Sequence, residues 1–319
     1  MCAQTASPVA KGLFQKGIAM SGEYNSLRGV NTTWQAQDCK SRLPTLQEAG
    51  KAGERFAAAL GCEAQGRDAD RQVAACLRRI PAKTLLDKAG NGMAPDQGTL
   101  GPIVDGEILT MSPAEAFEKG RVNKVTLIHG VDRDETQMRV AETPEEYEAL
   151  VKEQYGPLAR EVFERYPLKR FPAPAPYVAF RTILADSNSV CPSLLNNERL
   201  SRHITVFGFV NANADAPPAS FVDQSKPNGA FHVNENQFLQ SAMTNASANQ
   251  QTLGNQLVAQ WTGFARTGDP TVDGTPYWSK YTRSNPAVMS LAPAGDSVMT
   301  TEIAKQHNCG FWNRYAPFD

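Results

Sequence analysis

Lys124-Val-Thr-Leu-Ile-His-Gly130, followed at once by Val131-Asp-Arg-Asp-Glu135, is the stretch on which the fold turns. A short apolar run bounded by charged residues reads as a strand buried on both faces, and such strands belong to parallel sheets covered by helices. Three more runs of this kind occur, at Lys16 to Met20, Ile204 to Val210 and Ala287 to Leu291. They lie far apart, and the sequence between them carries helical patterns such as Glu48 to Leu60 and Glu145 to Tyr155. The chain is therefore predicted to be α/β with long excursions. Its clearest helix is Leu253 to Thr267. There Leu253, Leu257, Trp261, Phe264 and Ala265 recur at helical spacing, Arg266 sits in the last turn, and Gly268-Asp-Pro270 supplies the stop.

With 41% hydrophobic and 20% charged residues, the 319-residue chain has the balance of a globular protein able to bury a sizeable core. A net charge of −1 with dispersed Lys and Arg gives no basic stripe, which argues against nucleic acid as a partner. No apolar run approaches the roughly 18 residues that span a bilayer, and no membrane span is expected. The opening residues lack the pattern of a signal peptide. Pro172-Ala-Pro-Ala-Pro176 and the stretch 211–228 are irregular and are expected to be surface excursions within one domain covering 1–319. Two Asn-x-Ser/Thr triplets, at Asn31 and Asn245, are too common by chance to carry weight.

Glu135 falls just past a strand's C-terminal end, where α/β sheets gather reactive groups. His232, in Gly229-Ala-Phe-His-Val-Asn-Glu235, lies on a loop further along the chain. An acid followed by a histidine is the second half of the order Ser, Asp or Glu, His. In that arrangement the carboxylate would fix the imidazole tautomer and the imidazole would take a proton from the nucleophile. The same residues also read as a solvated loop of mixed charge and a loop histidine without a role. Of the remaining histidines, His129 is expected in a strand, and His203 and His307 at the surface. The serine is the missing part: no Gly-x-Ser-x-Gly occurs among the 319 residues, and Ser21 in Ala19-Met-Ser-Gly-Glu23 only approaches it. Six cysteines occur with no Cys-x-x-Cys pair and no histidine cluster, so no metal site is expected, and disulfides or buried thiols remain.

Six segments in order resemble the type-B carboxylesterase family, which includes the cholinesterases and the bacterial para-nitrobenzyl esterases. They are Ser7-Pro-Val-Ala-Lys-Gly-Leu-Phe-Gln-Lys-Gly-Ile-Ala-Met-Ser21-Gly22, Gly101-Pro-Ile-Val-Asp-Gly106, Gly130-Val-Asp-Arg-Asp-Glu135, Gly229-Ala-Phe-His232, Trp261-Thr-Gly-Phe-Ala-Arg-Thr-Gly-Asp-Pro270 and Cys309-Gly-Phe-Trp-Asn313. The resemblance implies an α/β-hydrolase fold, a carboxylic ester as substrate and no cofactor. It makes Glu135 the triad acid, His232 the general base, and Ser21 and Glu235 a buried hydrogen-bonded support behind the histidine. Thr136 departs from the glycine usual after the acid. Phe231, Phe238 and Leu239 are expected to form an apolar wall near the histidine.

Cys62 with Cys76 and Cys191 with Cys309 match family disulfides, which implies an oxidising, secreted setting. Cys2 and Cys39 have no assigned partner. In the family the nucleophile elbow lies a few residues before the position of Met1, and the oxyanion loop and first strands lie further upstream. The chain is therefore expected to be the C-terminal portion of a serine carboxylesterase, with the N-terminal strands and any signal peptide missing, and inactive alone. The alternative is a non-catalytic cholinesterase-like adhesion or binding module.

Overall fold

A computed structural model describes residues 1–21, 43–89, 102–135, 140–217, 219, 222–239 and 246–315. Among them a five-stranded sheet runs in the order β1 (Lys16–Met20), β2 (Thr126–Asp132), β3 (Thr205–Asn211), β4 (Val288–Leu291) and β5 (Val298–Thr300). The first four strands are parallel, and β5 pairs antiparallel with β4. Neighbouring strands in space are also successive in sequence, so each parallel pair is joined by one of the long helical excursions. In β2 and β3 every residue after the first is buried, as expected of strands covered on both faces.

Alternation along the strands sorts their side chains onto two cores. Leu127, Val131, Val206 and Val210 join a cluster with Phe180, Ile183, Leu194 and Leu200 from α3 (Ala175–Ala185) and α4 (Cys191–Ser201). These helices follow α1 (Leu46–Ala59) and α2 (Pro144–Tyr155), each opened by a threonine capping box that satisfies its first backbone N–H groups. On the other face Ile128, Phe207, Phe209 and Met289 meet Leu253, Leu257, Trp261 and Phe264 of α5 (Ala248–Thr267). Gly268 ends α5 in the left-handed conformation, at φ 83°. Truncating Leu257, which is fully buried, would cost about 2–5 kcal/mol in lost transfer energy and cavity formation. Gly130 is required where it stands, because a Cβ there would overlap the carbonyl oxygen of Phe209 on the adjacent strand.

The four predicted strands and three predicted helices are present, with ends shifted by a few residues. Three expectations need correction. Ala175 to Ser201, including a π-helical turn at Asp186–Val190, is a nearly continuous buried helical segment that begins within the proline-rich stretch read as irregular. Helices without a polar face give no amphipathic period to read. Asn211 and Asn213, placed in a surface excursion, are fully buried, with Asn211 the last residue of β3. His307 is buried rather than at the surface: its Nδ1 lies 2.6 Å from Asp186 Oδ1. Tyr166 donates to the other oxygen of Asp186 at 2.7 Å, and Trp312 Nε1 donates to the Tyr166 hydroxyl at 2.7 Å. His203 is half-buried.

Both expected disulfides are formed, Cys62–Cys76 and Cys191–Cys309. Cys2 is also disulfide-bonded. Cys39, Asn31, Thr136 and Asn245 lie outside the described residues.

Candidate active site

The C-terminal ends of β1, β2 and β3 finish side by side, with Met20 in register with Gly130 and Asp132 with Asn211. The chain after β2 turns through Arg133 and Asp134, bringing Glu135 back beneath the strand end, where it is 2% exposed. The loop carrying His232 is held against this turn by backbone and side chain together. Asp134 N–H donates to Ala230 O, and Ala230 N–H donates to the Asp134 carboxylate, both at 2.9 Å. Asp134 is fixed in turn by the buried Arg181 at 3.4 Å and by Arg133 at 3.2 Å. Gly229, at φ 61°, lets the loop pass over Asp134, whose carboxylate a Cβ would overlap.

This pinning brings His232 Nδ1 to 2.7 Å from Glu135 Oε2. A carboxylate oxygen can only accept, so the contact requires the proton on Nδ1 and leaves the basic lone pair on Nε2. The imidazole is 38% exposed whereas Glu135 is sealed in, so the ring has access to solvent while its orienting partner does not. Partial burial pulls the imidazole pKa down, but the hydrogen bond and charge of Glu135, with Glu235 behind it, outweigh that and raise it above the usual 6.5.

Behind the histidine lies a buried polar cluster. Asp132 Oδ1 accepts from Asn211 Nδ2 at 2.6 Å, and Asp132 Oδ2 accepts from Val233 N–H at 2.9 Å and from the Ser21 hydroxyl at 3.4 Å. Asn211 Nδ2 also donates to Asn234 Oδ1, whose own amide donates to Asn213 O. Val233 takes φ 62°, a costly conformation for a β-branched residue, and in doing so aims its N–H at Asp132. Ser21 leaves β1 at φ 52° with its N–H bonded to Gly130 O, which carries its hydroxyl over to the second strand. Glu235, 1% exposed, lies within hydrogen-bonding reach of Asp132. Burial pushes the Asp132 carboxyl well above the ordinary carboxylate range, and Glu235 and Glu135 push it the same way. Burial likewise raises Glu235.

The structure thus brings together all four residues singled out in the sequence, Glu135, His232, Ser21 and Glu235, and adds Asp132, Asn211, Asn213 and Asn234. The signal for Asp132 was available: it falls two residues beyond Gly130, within reach of a longer strand. Phe238 packs into the core with α5, and Leu239 lies against the same cluster. Phe231 is buried beside an open cavity of about 460 Å³ whose lining includes Arg133, Asp134, Arg181 and Lys226.

Ligand atoms of Asp132, Glu135 and His232 lie within 4.8 Å of one another, a grouping that could in principle hold a cation. The short Nδ1 to carboxylate hydrogen bond and the donors already on Asp132 fit a hydrogen-bonded network better than a metal centre, in which nitrogen and oxygen would both point at an ion about 2 Å away. Among the described residues, no helix is long and apolar enough to cross a membrane.

A scan against protein-family models matches residues 1–312 to the Carboxylesterase family, and the chain belongs to that family.

Proposed function

We propose that this chain takes part in the hydrolysis of a carboxylic ester through an acyl-enzyme, with His232 as general base and Glu135 as its orienting acid. The observation that carries the reading is the 2.7 Å contact between a sealed carboxylate and a solvent-accessible imidazole on a pinned loop at the C-terminal edge of a parallel sheet. In the first half-reaction a serine hydroxyl attacks the ester carbonyl while Nε2 takes its proton. The imidazolium, stabilised by Glu135, then gives that proton to the departing alcohol. In the second half-reaction water adds to the acyl-enzyme by the same proton route and frees the acid.

Neither the nucleophile nor the oxyanion donors are identified among the 319 residues, since no Gly-x-Ser-x-Gly elbow occurs. We assign both to a preceding N-terminal half of the same hydrolase domain, and expect the chain by itself to be inactive. The two paired cysteine sets fit a secreted enzyme. The test joins the chain to the elbow-bearing N-terminal segment of a family member and assays a short p-nitrophenyl ester. Turnover that falls by several orders of magnitude in His232→Ala supports the reading. Equal turnover in the variant, or hydrolysis by the 319-residue chain alone, overturns it.

A further inference from the structure

Asp132 and Glu235 are two carboxyl groups in contact, 0% and 1% exposed, behind an imidazole that already has its own acid. Two ionised carboxylates at that separation would repel with little water to screen them, and neither could donate to the other. The supply of donors is also lopsided. Asn211, Val233 and Ser21 all serve Asp132, whereas Glu235 Oε2 is buried and has no hydrogen-bond partner among the described residues. One hydrogen placed between the two groups removes the repulsion and turns their contact into a hydrogen bond. Among the described residues the charged groups acting on the pair are Glu135 and His232. Arg133 and Arg181 are instead engaged with Asp134 on the neighbouring turn.

We propose that Asp132 and Glu235 share a single proton at neutral pH, so that the pair presents one negative charge to the His232–Glu135 couple and acts as its positioning device. The proton belongs to the pair rather than to either member. Both residues reach the histidine through the backbone. Asp132 holds Val233 N–H, one residue after His232, and Glu235 lies in the same turn. Loss of the shared proton would add a second charge behind the imidazole and open the contact that keeps this turn folded over β2. The inference concerns how the base of the proposed ester hydrolysis is held, but the proton itself is measurable without any turnover, so failure of one reading is distinguishable from failure of the other.

Infrared difference spectra of the purified chain at pH 7, wild type minus Asp132→Asn and wild type minus Glu235→Gln, test it directly. A protonated-carboxyl band is expected in both differences, since either substitution removes the shared proton. Its absence from either one overturns the proposal. NMR titration of His232 gives a second, independent reading. Asp132→Asn leaves one charge on the pair, as the shared proton does, so the His232 midpoint is expected to stay within a few tenths of a unit. If both carboxylates were ionised in the wild type, the substitution would remove a full charge and lower the midpoint by about one unit or more, which refutes the sharing. Should Asp132→Asn fail to fold, Glu235→Gln, read in both experiments, carries the same two outcomes.

Discussion

Glu135→Gln removes one charge from behind His232 while preserving shape, and its effect can be worked out from the site. Two unit charges about 4 Å apart interact by about 4 kcal/mol at an effective dielectric of 20. That would correspond to about three units of imidazole pKa. The ring is 38% exposed, so solvent screens part of this, and a drop of about one to two units is expected. The wild-type midpoint is expected above 6.5, because Glu135 raises it. Since the folded value then exceeds the unfolded one, stabilisation by the charged pair is complete below pH 6.5 and disappears as pH rises through the folded value. Glu135→Gln should accordingly cost more stability at pH 5.5 than at pH 8.5. Imidazole carbon–proton NMR resolves the titration, with four histidines in the chain and His232→Gln to assign the signal. A wild-type midpoint below 6.5, or one that stays put or rises in Glu135→Gln, would refute the view that this contact controls the imidazole.

Four further outcomes follow from the same structure. The raised carboxyl pair means that the unfolded chain releases its protons first as pH rises, so stability should fall above about pH 4.5 with a slope of up to about 1.4 kcal/mol per unit. Asp132→Asn should flatten that slope in urea melts, and an unchanged slope would count against it. Gly229→Ala forces a side chain into left-handed backbone and into the Asp134 carboxylate; a loss of about 1–3 kcal/mol is expected, together with broadening of the low-field His232 Nδ1 proton. Replacing Cys191 and Cys309 by serine opens a loop of 118 residues and should cost about 5 kcal/mol, against about 3 for the 14-residue loop of Cys62 and Cys76; denaturation curves showing the reverse order would reject the loop-entropy account. His307→Phe removes the imidazole from the buried Asp186 and leaves it the side chains of Tyr166 and Asn308, and a loss of about 3 kcal/mol in the same melts is expected.

The contact between Glu135 and His232 is legible in the sequence and its support only in part, for a reason that lies in β2. A strand reading that ends at Gly130 leaves Asp132, Asp134 and Glu135 as one acidic loop, and a loop carboxylate is ordinarily solvated. The strand in fact continues to Asp132, pairing that residue with Asn211 at the end of β3, whose polarity likewise suggests the start of a loop. Polar residues at strand ends look like turns because apolar alternation stops there. What keeps the backbone extended is a partner strand whose own polar end answers it, and Asn211 Nδ2 meeting Asp132 Oδ1 at 2.6 Å is that answer. Hydrophobic pattern reports one segment at a time, whereas a buried polar pair is a property of two segments that meet only after folding. The buried asparagines Asn211, Asn213 and Asn234 are hidden in the same way, since each is polar in sequence and their mutual contacts, Asn211 Nδ2 to Asn234 Oδ1, Asn213 N–H to Asn211 Oδ1 and Asn234 Nδ2 to Asn213 O, form only after folding. The same argument explains His307: a histidine near a chain's end reads as surface until the π-helical turn at Asp186 is brought against it. In both places buried carboxylates and their donors lie beside a fixed point of the chain, the Cys191–Cys309 disulfide in one and the Glu135–His232 contact in the other. Buried charge is tolerated only where each oxygen has a donor or a proton, so such clusters form where several chain segments are already locked together.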